Sequence, residues 1–124
     1  MNYIPLNDLI IYQQAMAIAE NIYVRVLQFP TFDRFSLGKQ LIEAADSIAA
    51  NISEGHGRYF YKENKNFCYY ARGSLLETKT WLSKARKRNL ISEEEFSKLI
   101  QDLDILHYNI NRYIKSIGTS TNNQ

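Results

Sequence analysis

Four stretches of the chain place apolar residues three and four positions apart, and this repetition constrains the fold more tightly than any other feature, because a helix brings such residues onto one face. The last stretch is the most regular: Phe96, Leu99, Leu103, Leu106, Ile110, Tyr113 and Ile117 follow the heptad spacing of a seam in an antiparallel bundle. Ser92 and Glu95 read as a capping box at its start, the hydroxyl taking a first-turn amide while the carboxylate reaches back. Gly118 ends it. The first stretch carries Tyr12, Ala15, Ala19, Ile22, Val26 and Phe29 up to Pro30. An adjoining stripe of Leu9, Met16, Tyr23 and Leu27 widens its apolar arc, which predicts contact with more than one neighbour.

Between them, a helix starting near Ser36 buries Leu37, Leu41, Ala44, Ile48 and Ile52 and stops at Gly55 and Gly57, where continued helix is costly. Its small residues Ala44, Ala45, Ser47, Ala49 and Ala50 invite close approach by another helix. The third stretch places Phe67, Ala71, Ser74, Thr78, Leu82 and Ala85 in register with Gly73 inside it; a mid-helix glycine costs ~1 kcal/mol relative to alanine, so Gly73 is expected to pack closely against the alanine-rich helix. The reading is all-α: an antiparallel, up-down-up-down four-helix bundle in one domain, residues 1–117, with helices at about 8–29, 36–54, 62–88 and 92–117 and a disordered polar tail at 118–124.

Composition agrees with a packed core, since 45% hydrophobic residues with five Gly and two Pro exclude collagen-like and disordered classes. The single cysteine, Cys68, cannot close an internal disulfide, and no leader pattern precedes Leu6, so a reducing cytoplasm is expected. The charge-free stretch from Leu9 to Ala19 falls short of the ~20 apolar residues of a membrane span.

Charge is segregated. Residues 1–54 carry three basic and six acidic side chains, residues 55–91 nine and two, and the remainder three and five. The basic residues gather at the two ends of the third helix, Arg58, Lys62 and Lys65 at one and Lys84, Arg86, Lys87 and Arg88 at the other. Interleaved with them between Arg58 and Arg72 are Tyr59, Phe60, Tyr61, Phe67, Tyr69 and Tyr70. Aromatic faces stack on unpaired bases and cations hold phosphates, so single-stranded RNA is one candidate ligand; tyrosine and arginine also serve subunit interfaces, which is preferred for most of these rings.

Two phrases, Ser47-Ile48-Ala49-Ala50-Asn51-Ile52-Ser53-Glu54-Gly55 and Ala71-Arg72-Gly73-Ser74-Leu75-Leu76-Glu77, resemble the four-helix-bundle family of 23S rRNA intervening-sequence proteins. Asp8-Leu9 ahead of Tyr12-Gln13-Gln14-Ala15, Phe29-Pro30 and Gln40 extend the resemblance over roughly residues 8 to 117. It implies a left-handed bundle assembling into a homopentameric ring. It also connects the chain to accessory proteins of diversity-generating retroelements, which bind nucleic acid through basic surfaces, and it implies no enzymatic activity. Two departures matter: Tyr12 stands where the family usually has Trp, and Ile42 and Glu43 stand where it often has adjacent basic residues, which removes positive charge from the second helix.

Other constellations point to structure. Ser47, Asn51 and Glu54 share one helix face, Ser74 and Glu77 another, and a buried polar layer with Arg72 as countercharge is a simpler expectation than a catalytic cluster. Asp104 and His107 form a single acid-x-x-His pair where a di-iron bundle needs two, and one Cys with two His leaves a zinc site short of ligands. Cys68 has no local histidine, Ser74 lacks a nucleophile elbow, and Gly55-His56-Gly57-Arg58 is expected to be a turn rather than a phosphate loop. No metal, cofactor or enzymatic activity is expected. Two functional readings remain: a homo-oligomer that binds RNA or other nucleic acid, and a scaffold that recruits a protein partner.

Overall fold

Each of the four periodic stretches forms one long helix. In a computed structural model of the chain, which describes residues 3–119, α1 spans Ile10–Val26, α2 Thr31–Phe35, α3 Leu37–His56, α4 Tyr61–Lys87 and α5 Glu93–Ser116, with a 3-10 turn at Leu6–Asp8. There is no strand among the described residues. The short α2 is absent from the sequence reading because its five residues bury nothing and so leave no periodic trace. Pro30 precedes it, accepting from the Arg34 amide at 2.8 Å, and Ser36 at φ −109° and ψ −90° breaks it from α3. The tail predicted to be disordered lies, from residue 120 onward, outside the described residues. Gly118 itself is a left-handed terminator of α5 with φ +76°.

The long helices pack in the cyclic order α1, α3, α4, α5, with α3 against α4 the most extensive pairing and α5 closing back on α1. The seam of α5 behaves as its spacing predicts: Leu99, Leu103, Leu106 and Ile110 are buried, with Tyr113 packed against the core's edge. All five residues expected on the inner face of α3 are buried as well. Helix α1 does meet two neighbours, but through Ile11 and Ile18 beside the first stripe; Met16, Tyr23 and Leu27 of the adjoining stripe face outward. The reason is geometric: an arc wider than one interface holds more apolar positions than two flanking helices cover.

The close approach between α3 and α4 falls at Gly55, not at Gly73. A Cβ on Gly55 would stand 2.8 Å from Phe67 Cβ and 3.0 Å from the Asn64 carbonyl oxygen. Gly73 lies on the exposed face of α4 with open space where its Cβ would be, so its expected contact with the alanine-rich helix does not exist. At the start of α5 the capping box forms as predicted, with Ser92 Oγ accepting from the Glu95 amide at 3.0 Å and Glu95 Oε1 accepting from the Ser92 amide at 2.9 Å.

Candidate nucleic-acid interface

The seven candidate cations divide by position and by commitment. At a rise of about 1.5 Å per residue, Lys62 and Lys84 stand roughly 33 Å apart along α4, so the two groups occupy opposite ends of the bundle and cannot act as one site. At the first end, Arg58 is engaged: its guanidinium donates to Glu54 Oε2 at 2.7 Å and lies 4.9 Å from the centre of the Phe67 ring. Lys62 and Lys65 have no ion pair among the described residues. At the second end, Arg86 turns inward, donating to Glu93 Oε1 at 3.1 Å and to the Ile91 carbonyl at 3.4 Å. Lys84, Lys87 and Arg88 remain exposed without an ion pair among the described residues. Their spacing of i, i+3 and i+4 puts them on one helix face. Arg86 therefore leaves the candidate set.

The aromatic run is largely self-engaged. Tyr59 and Phe60 pack edge to face at 4.9 Å, Phe67 and Tyr70 at 5.5 Å, and the Arg72 guanidinium sits 5.2 Å from the centre of the Tyr69 ring. The guanidinium covers one face of Tyr69, which stays partly exposed.

The expected buried polar layer does not form from its named residues. Ser47 donates to the Glu43 carbonyl and Asn51 to the Ser47 carbonyl, both within α3; Glu54 pairs with Arg58, and Glu77 accepts from Trp81 Nε1 at 3.3 Å. Arg72 donates to Asn111 Oδ1 at 2.8 Å rather than answering either carboxylate. Glu54 and Glu77 are exposed, and Ser47, Asn51, Arg72 and Ser74 are half-buried. Water competes for polar side chains on these outer faces, so no cooperative layer is required there.

A polar chain lies elsewhere, in residues the sequence reading treated singly. His56 Nε2 is 2.6 Å from the Ile4 carbonyl oxygen, which only accepts, so Nε2 carries the hydrogen. Nδ1 is then free to accept from the Tyr113 hydroxyl at 3.4 Å, whose oxygen accepts from Asn64 Nδ2 at 3.3 Å. The Cys68 thiol donates to Asn64 Oδ1 at 3.8 Å. Each link has a donor facing an acceptor, and together they tie the N-terminal segment to α3, α4 and α5. Burial pushes the Cys68 thiol up to about 12 and raises the Tyr113 hydroxyl, so both stay protonated and neither offers a nucleophile at neutral pH. The sequence signal for this layer was weak, because its three long-range links join residues 49, 52 and 57 positions apart.

A shallow groove of about 300 Å³ runs between α1 and α3, lined by Tyr12, Met16, Glu20, Asp46 and small residues of α3. Partial desolvation at the groove, reinforced by the Glu20 charge, raises the carboxyl of the otherwise exposed Asp46 above its ordinary value. Among the described residues no three His, Cys, Asp or Glu side chains cluster as metal ligands, and no helix is long and apolar enough to cross a membrane.

Comparison with known proteins agrees with this architecture. A family model described as 23S rRNA-intervening sequence protein matches residues 7–112. A crystal structure of a protein of unknown function from the S23 ribosomal protein family of Bacteroides thetaiotaomicron superposes with a TM-score of 0.76 at 21% identity, covering 85% of this chain and 98% of that one. No curated protein matches the chain.

Proposed function

The chain belongs to the 23S rRNA-intervening sequence protein family, and from that premise we propose that it is a non-enzymatic, homo-oligomeric nucleic-acid-binding protein of the reducing cytoplasm, acting on RNA through the free cationic face at the end of α4. The observation that carries this reading is the trio Lys84, Lys87 and Arg88, exposed on one face and spared by the acidic residues that hold Arg25, Arg58 and Arg86. Surface cations left without internal partners supply the counterion release that drives polyanion binding. A left-handed, ring-shaped pentamer would multiply such a patch around its axis. The outward stripe of Met16, Tyr23 and Leu27 gives that assembly apolar surface to cover. The same stripe favours the second reading, a scaffold that recruits a protein partner.

Salt dependence separates the two. Each phosphate contact on a single strand adds about −0.7 to the slope of log K against log salt, so Lys84→Gln/Lys87→Gln/Arg88→Gln is expected to weaken RNA binding and flatten the slope by up to ~2 for each engaged subunit. Arg86→Gln should change the slope little. Wild-type protein that binds no RNA or DNA at low ionic strength would leave the scaffold reading in place.

A further inference from the structure

The end of the bundle that carries Lys84, Lys87 and Arg88 also carries α2, which connects the end of α1 to the start of α3. That all these elements share one end follows from the ion pair of Arg25 in α1 with Glu95 in α5, at 2.7 Å, and from that of Arg86 in α4 with Glu93 in α5, at 3.1 Å. On α2, Phe32 is 81% exposed and Phe35 70%. They stand at i and i+3 and so face the same way. Neither belongs to the core, and Phe32 makes no ring contact among the described residues. Phe35 has the Arg34 guanidinium 6.0 Å from its centre.

Charge identifies what such a pair of rings would meet. Of the carboxylates at this end, Glu93 and Glu95 are engaged by Arg86 and Arg25. That leaves Asp33 and Glu94 against Lys84, Lys87, Arg88, Arg34 and Lys39, a surface that favours a polyanion. A polyanion with accessible π-faces is a single strand; in a duplex the bases are already stacked on one another. We propose that this end binds single-stranded nucleic acid in preference to duplex, with Phe32 and Phe35 stacking on bases while Lys84, Lys87 and Arg88 hold phosphates. This rests on the nucleic-acid reading above and adds the strand class and the rings that read it.

The test titrates the full chain into a fluorescein-labelled oligouridylate and, separately, into a labelled RNA duplex of equal length, following anisotropy. Phe32→Ala/Phe35→Ala is expected to weaken oligouridylate binding at least ~10-fold and to leave duplex binding within ~2-fold, because stacking contributes to each unpaired base alone. The triple Gln variant should weaken both. Equal oligouridylate affinity for the double Ala variant and wild type would overturn the stacking role while the cationic reading stands. A drop in assembled mass in the double variant would also overturn it, identifying the rings as a contact between copies. If wild type binds neither probe, the nucleic-acid reading fails first and this inference with it.

Discussion

At the end where α3 gives way to α4, His56, Tyr113, Asn64 and Cys68 pass hydrogen bonds from one to the next and Arg58 is held by Glu54, so that only Lys62 and Lys65 stay without an ion pair, whereas at the end where α4 gives way to α5, Lys84, Lys87 and Arg88 have none among the described residues and Phe32 and Phe35 are exposed, Phe35 beside the Arg34 guanidinium. Both ends are drawn from the same residue types, basic and aromatic. What separates them is how many long-range partners the fold brings within reach: α3, α4, α5 and the N-terminal segment converge on the first, while the second is capped by a five-residue helix that buries nothing. Charge and aromatic content therefore mark where a surface can act, and internal pairing decides whether it is free to.

The sharpest way to break the closed end is to fill its tightest contact. Gly55→Val puts a branched side chain where even a Cβ would stand 2.8 Å from Phe67 Cβ, and it is expected to cost about 3 kcal/mol by overpacking. Urea denaturation followed by circular dichroism measures this; an unchanged midpoint would mean that α3 and α4 separate there at little cost.

The two ends should also differ in their response to pH. Near the closed end the Cys68 thiol is raised from 9.0 to about 12 and the Tyr113 hydroxyl is raised too, so above about pH 9 the unfolded chain releases protons that the folded chain retains. Stability then falls as pH rises, by up to about 1.4 kcal/mol per pH unit for each such group. At the open end, the Ser92 amide and then Arg25 hold the Glu95 carboxyl below its ordinary value, so its contribution is present above the carboxylate range and is lost as pH falls through it. Melting temperatures across the pH range should show Cys68→Ala relieving the alkaline loss and Glu95→Gln relieving the acid one. Identical profiles for wild type and both variants would erase the distinction.

The smallest effect is expected in the middle of α4, which belongs to neither end. Gly73→Ala should stabilise the chain by ~1 kcal/mol, because the site is exposed helix interior with open space beside it. Light scattering alongside calorimetry is expected to give an assembled mass several times 14.5 kDa for wild type and variant alike. A lower melting temperature together with a lower mass would show that another chain covers the exposed face around Gly73.

The four long helices, most of their buried faces and the cap of α5 are legible in the sequence, because they depend on residues three or four apart: Leu99 with Leu103, Leu37 with Leu41, Ser92 with Glu95. Periodicity makes Gly55 a helix stop and Gly73 the packing glycine, and it did not reveal that the crossing of α3 over α4 gives Gly55 the close neighbour and leaves Gly73 open. Nor did it separate the free cations from the engaged ones. Lys84 and Arg86 are two residues apart in the same basic cluster, yet one faces solvent while the other reaches Glu93 across a turn. The polar chain through His56, Asn64 and Tyr113 was beyond local reading for the same reason. Partnership between side chains about fifty residues apart is set by where the bundle places the helix ends, and tertiary structure alone fixes that placement.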